Sequence, residues 1–74
     1  MELTVVVHQE PDGFWSEVDE LPGCFASGRT LAELTEALGE AVGLYLGDEP
    51  VALGGEALRA GPVTVTVDRP ADRS

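Results

Sequence analysis

The spacing of hydrophobic and polar positions changes several times along the chain, and each change predicts an element. Leu3-Thr4-Val5-Val6-Val7-His8 is rich in β-branched side chains and predicts a strand. Leu3, Val5 and Val7 fall on one face of it and Thr4, Val6 and His8 on the other. Glu10-Pro11-Asp12-Gly13 supplies turn residues, and a second strand follows from Phe14 to about Val18, so a hairpin is expected. Phe14, Ser16 and Val18 alternate with Trp15, Glu17 and Asp19. The second set carries two acids, which makes the first the expected inner face. Leu21-Pro22-Gly23 breaks the pattern, and a short third strand is expected from Cys24 to Ser27, before Gly28.

The period then lengthens to that of a helix, expected over about 30–46. Thr30 stands three residues before Glu33, a capping-box spacing in which each side chain accepts from the other residue's backbone N–H. Leu31, Leu34, Leu38, Ala41, Val42 and Tyr45 form one apolar stripe, while Glu33, Glu36 and Glu40 fall on the remaining surface. Gly39 and Gly43 each cost roughly 1 kcal/mol relative to alanine, but their spacing puts them on one side, where another backbone can approach. Gly47 marks the stop. A loop is expected over about 47–61, with Gly54-Gly55 opening a helical turn through Arg59. Val63, Val65 and Val67 alternate with Thr64, Thr66 and Asp68 in a last strand over about 62–68, ended by Pro70, with a tail at 69–74. The expected fold is one α+β domain over 1–74, in the order β-β-β-α-β. A single helix covers one face of a four-stranded mixed sheet, its crossover setting the last strand parallel to a neighbour.

Composition narrows the function classes. A chain of 74 residues buries a modest core, so self-association as a homodimer or higher oligomer is expected. Fourteen acidic residues stand against four arginines and no lysine, a formal net charge of −10. Such a chain is repelled by phosphate backbones and attracted to basic surfaces, although acidity also serves plain solubility. No apolar run has membrane-spanning length and no signal pattern opens the chain, so a cytosolic protein is expected. The single Cys24 cannot form an internal disulfide, and with one histidine the chain cannot assemble a His/Cys zinc site.

Candidate chemistry is sparse. His8 is the only imidazole, and a lone strand histidine is more often structural than catalytic. Cys24 follows a tight turn, with only Arg29 nearby to lower its pKa, so a buried structural role is favoured over a reactive one. A metal-dependent nuclease would want an acid in the middle of the first strand, where Val5-Val6-Val7 stands. Glu33, Glu36 and Glu40 read as a solvated helix face, and Asp19-Glu20 and Asp48-Glu49 lack calcium-loop spacing. No catalytic, cofactor-binding or metal-ligating residue is assigned.

Gly13-Phe14-Trp15-Ser16-Glu17-Val18, Leu21-Pro22-Gly23-Cys24-Phe25, Gly28-Arg29-Thr30-Leu31-Ala32-Glu33-Leu34 and Ala41-Val42-Gly43-Leu44-Tyr45-Leu46, in this order and spacing, resemble the HicB antitoxin family. The resemblance spans roughly residues 3–46. Asp19 departs from it, standing where the family usually has proline. It implies a partial RNase H-like fold with sheet order 3-2-1-4 and without RNase H catalytic acids. It also implies neutralisation of a HicA-type toxin, a small basic ribonuclease that cleaves mRNA. Many members carry a C-terminal DNA-binding domain, for which this sequence leaves no room, so direct DNA binding is not expected. Trp15 is a candidate anchor for such a partner, or else packs under the 48–61 loop. Glu17, Glu20, Glu33, Glu36 and Glu40 are candidates for charge complementarity. Leu21, Pro22, Gly23, Cys24, Gly28 and Thr30 are expected to shape the framework. The competing expectations are a toxin-free homo-oligomeric scaffold or small-ligand module, built on sheet edges or the Gly39/Gly43 side, and a degenerate nuclease.

Overall fold

A computed structural model describes residues 1–47 and 49–67. Asp48, Asp68, Pro70 and the expected 69–74 tail lie outside the described residues. The elements are β1 (Glu2–Glu10), β2 (Gly13–Val18), β3 (Phe25–Gly28), α1 (Leu31–Tyr45), β4 (Leu53–Gly55) and β5 (Gly61–Val67). They form one five-stranded sheet in the order β3-β2-β1-β5-β4, with every neighbouring pair antiparallel.

This corrects the expected four-stranded mixed sheet ordered 3-2-1-4, and with it the partial RNase H-like topology that the resemblance implied. The cause lies in residues 53–60. Gly54 and Gly55 do not open a helical turn; they pair with Thr66 and Val65 as β4. That short strand takes up the direction expected of the last one. The chain then reverses through residues 56–60, held by Glu56 N–H on the Thr64 carbonyl (3.1 Å) and by buried Leu58. As a result β5 enters beside β1 antiparallel to it, with Val5 opposite Val63 and Leu3 opposite Val65.

Strand alternation sorts the side chains as expected. Leu3, Val5 and Val7 of β1, Ser16 and Val18 of β2, and Val63, Val65 and Val67 of β5 are all buried. Leu34, Leu38 and Val42 of α1 cover them, and Phe14, Ala26, Leu31 and Ala41 pack at the margin. Fully burying an aliphatic side chain is worth about 1.5–3 kcal/mol, so this layer dominates the stability. Tyr45, expected in the stripe, is 47% exposed, and its neighbour Leu44 is 78% exposed. They lie on the outward side of the last turn of α1, where Val42 and Leu46 take the positions against the core. Ser16 Oγ is buried in this layer with no hydrogen-bond partner among the described residues.

Two glycine positions explain how the rest attaches. Gly39 and Gly43 let the segment after the helix lie directly on it. A Cβ at Gly39 would collide with the Val51 carbonyl oxygen, and one at Gly43 with that of Glu49. The Val51 N–H donates to the Gly39 carbonyl at 3.1 Å, fastening the approach. This side of the helix is therefore taken by the chain itself and is not an open face for a second copy. The helix starts with half of the expected capping box. Thr30 Oγ1 accepts from Glu33 N–H (3.1 Å), but the Glu33 carboxylate accepts from Arg29 N–H (3.0 Å) rather than from Thr30. Thr30 has the extended backbone usual for an N-cap, and the carboxylate reaches the N–H of the residue before it.

Candidate functional site

With α1 on one side of the sheet, no described element covers the other side, and the hairpin register determines what gathers there. A two-residue loop, Pro11-Asp12, sets Glu10 opposite Gly13, and so His8 opposite Trp15 and Val6 opposite Glu17. The β2–β3 pairing then places Ser27 beside Trp15 and Phe25 beside Glu17. Since opposed residues share a face, His8, Trp15, Phe25, Val6 and Glu17 all lie on the outer side.

The aromatic rings touch. His8 stacks on Trp15 with centroids 4.1 Å apart and planes 16° apart, and Phe25 tilts against Trp15 at 6.2 Å. Two carboxylates hold the stack from its ends. The Trp15 indole N–H donates to Glu10 Oε2 (3.2 Å), and His8 Nε2 shares a hydrogen bond with Glu17 Oε2 (2.9 Å). Trp15 is thus outward, against its strand neighbours, and not beneath the 49–61 segment. Phe25 is 57% exposed, a large apolar ring left in water at an open sheet edge. An open cleft of about 380 Å³ lies beside the stack, walled by Glu10, Asp12, Trp15, Ser27, Arg29 and Glu33.

The six candidate partner-binding residues do not form one surface. Trp15 and Glu17 share the outer sheet face. Glu36 and Glu40 are exposed on α1, in the opposite layer. Glu33 is occupied at the helix start. Glu20 accepts from the Thr4 N–H at 2.7 Å, which closes the end of the β1–β2 pair. That backbone hydrogen bond holds the Glu20 carboxyl below its ordinary pKa. Sequence reasoning missed the three residues that complete the Trp15 site: His8, Glu10 and Phe25. The signal that could have found them is the two-residue hairpin loop, which fixes the register once the loop length is assigned.

The framework residues shape the turn between β2 and β3. Leu21 C=O accepts from Cys24 N–H at 3.0 Å, with Pro22 and Gly23 in the central positions. Gly23 has φ +87°, which the third position of a type II turn requires. The turn directs Leu21 and Cys24 inward, where both are buried, and leaves Pro22 and Gly23 exposed. Burial raises the Cys24 thiol pKa, the opposite of what a nucleophile needs. Gly28 ends β3 against the helix start, where a Cβ would strike the Leu34 N. Among the described residues, no three His, Cys, Asp or Glu side chains gather as a metal site would, and no helix is long and apolar enough to cross a membrane.

No family model matches the chain, and no solved structure matches it. A UPF0150 protein of Archaeoglobus fulgidus is 38% identical to it over 47 residues, covering 62% of this chain and 68% of that protein. On that similarity the chain belongs to the UPF0150 family, the HicB-like family that its motif series resembles.

Proposed function

We propose that this chain is an antitoxin-like protein-binding domain that neutralises a small basic HicA-type ribonuclease by covering its RNA-binding and catalytic surface. The observation that carries the reading is the outer sheet face, which no described element covers and where aromatic rings lie among carboxylates in a chain of net charge −10. Such a face complements the basic surface of an RNA-binding enzyme, steering encounter and excluding RNA from the same ground. HicB-like family membership supports the same reading. Binding rather than catalysis fits the residues available, because the one thiol is buried with a raised pKa.

The test is co-expression with a small basic ribonuclease encoded beside this gene. The expected result is a co-purifying complex and loss of RNA cleavage on stoichiometric addition of the chain. Undiminished cleavage in the presence of excess folded chain would overturn the proposal. A second reading, a toxin-free homo-oligomer, is favoured by one observation: the β3 edge, Phe25-Ala26-Ser27-Gly28, carries no charged side chain to block pairing with another copy. Light scattering tests this second reading, which requires a stable oligomer without any partner: finding only monomer at micromolar concentration would overturn it.

A further inference from the structure

We propose that the outer sheet face is a docking surface for arginine side chains, and that the partner presents at least one arginine to the Trp15–Phe25 platform with Glu17 and Glu10 as acceptors. The inference rests on the protein-binding reading and specifies its contact chemistry. Four observations select the occupant. The first is an exposed π-surface: Phe25 is more than half exposed and tilted against Trp15, so its ring face remains available to a flat cation.

The second is acceptor capacity. Glu17 and Glu10 each use one oxygen, on His8 and on the Trp15 indole, which leaves the second oxygen of each carboxylate for a new donor. The third is that, among the described residues, no arginine is paired with Glu10 or Glu17. The chain has no lysine, and among the described residues its arginines are Arg29 and Arg59. Arg59 pairs with Glu56 at 3.0 Å, in the 56–60 reversal beyond β4. Arg29 follows the end of β3 and lines the neighbouring cleft. The fourth is charge sign. Pairing this face with the same face of a second copy would set Glu2, Glu10 and Glu17 against their own kind, whereas a basic protein neutralises them.

The geometry prefers arginine to lysine. A guanidinium is planar, stacks on aromatic rings, is weakly hydrated and offers several N–H donors in one plane, so it can meet ring and carboxylate together. A lysine ammonium is a compact, strongly hydrated charge that meets them one at a time.

The experiment titrates the ¹⁵N-labelled full chain, at low salt, with a short Gly/Ser peptide carrying three arginines and with its three-lysine counterpart. Expected are amide shifts at Val6, His8, Trp15–Glu17 and Phe25–Ser27, movement of the Trp15 indole N–H signal, and arginine binding tighter than lysine by roughly threefold or more. Phe25→Ala, at an exposed position, and Glu17→Gln, which keeps a polar partner for His8, each weaken arginine-peptide binding by about fivefold. Equal binding of the two peptides, or shifts centred on Glu36 and Glu40 of α1, overturns the inference. So does a neighbouring ribonuclease that binds the wild-type chain and Phe25→Ala equally tightly, an outcome that leaves the antitoxin-like reading standing. A chain that takes the arginine peptide at this face but ignores the ribonuclease does the reverse: the docking surface stands and the proposed function fails.

Discussion

The two faces of the sheet are made from the same strands, often from adjacent residues, yet they are built for different ends. Val5 is fully buried under α1 while Val6 looks outward beside Glu17. Ser16 is sealed in the core while its neighbour Trp15 stacks against His8 in the open. The inner face is uncharged and, apart from Ser16 and the marginal Phe14, aliphatic, and its side chains pack against one another and the helix. The outer face mixes rings, threonines and carboxylates, and no described element covers it. A two-residue period thus lets one short segment specify stability and recognition separately, because each substitution reaches only one side.

Substitutions can break or sharpen that division. The largest effect is expected at Leu38, fully buried between helix and sheet: Leu38→Ala should cost about 3 kcal/mol in urea unfolding. A loss below about 1 kcal/mol would mean that the helix does not seal the inner face. Next comes a matched pair. Val5→Thr puts an unpaired hydroxyl in the core and should cost about 2 kcal/mol, whereas Val6→Thr should change stability by less than about 0.5 kcal/mol. Equal costs would erase the distinction between the faces.

Ser16→Ala works in the opposite direction. It removes a buried hydroxyl with no partner among the described residues and should raise stability by about 1 kcal/mol, measured as a higher urea midpoint. Destabilisation would show that the hydroxyl is bonded after all. Phe25→Ala should leave stability within about 0.5 kcal/mol of the wild type, because its ring is largely in water. A clear drop in thermal midpoint would assign Phe25 to folding instead of docking.

The smallest effect is electrostatic and pH-dependent. The Thr4 N–H holds the folded pKa of Glu20 below its ordinary value of 4.5. Its contribution is therefore present above the unfolded pKa and lost as pH falls through the folded one. Glu20→Gln should lie slightly below the wild type in thermal midpoint at pH 7, the gap closing as the medium is acidified through and below about pH 4.5. A gap that widens with acid would contradict the assigned hydrogen bond.

Much of the fold was legible because the sequence signals were strong and local. The β1–β2 hairpin, the helix starting at Thr30 and the inner set Leu3, Val5, Val7, Ser16 and Val18 follow from period and turn residues alone. Gly39 and Gly43 correctly announced a close backbone approach. Direction in the sheet was not legible, since it hung on Leu53-Gly54-Gly55. Two glycines carry no alternation, and a three-residue strand is held by pairing with Val65 and Thr66, not by its own propensity. The docking site was half legible. Outward Trp15 and Glu17 come from alternation, but His8 and Phe25 join them only through cross-strand register, a non-local property. Glu20 resembled a free surface acid because the Thr4 N–H that needs an acceptor leaves no mark in the sequence, whereas the capping-box spacing did mark Glu33 as an acceptor at the helix start.

The adjacency of β1 and β5 has a consequence for how the molecule comes into being. Met1 and Val67 exchange backbone hydrogen bonds, Val67 N–H to the Met1 carbonyl at 2.8 Å and the Met1 ammonium to the Val67 carbonyl at 3.2 Å. The first strand thus waits for β5, made after every other described element, before its second edge is satisfied. On the ribosome the β1–β2 hairpin and the helix must persist without their closing strand, with Leu3 and Val5 short of their β5 neighbours. Only when residues 61–67 are in place do Val5 and Leu3 gain Val63 and Val65 as their cross-strand partners.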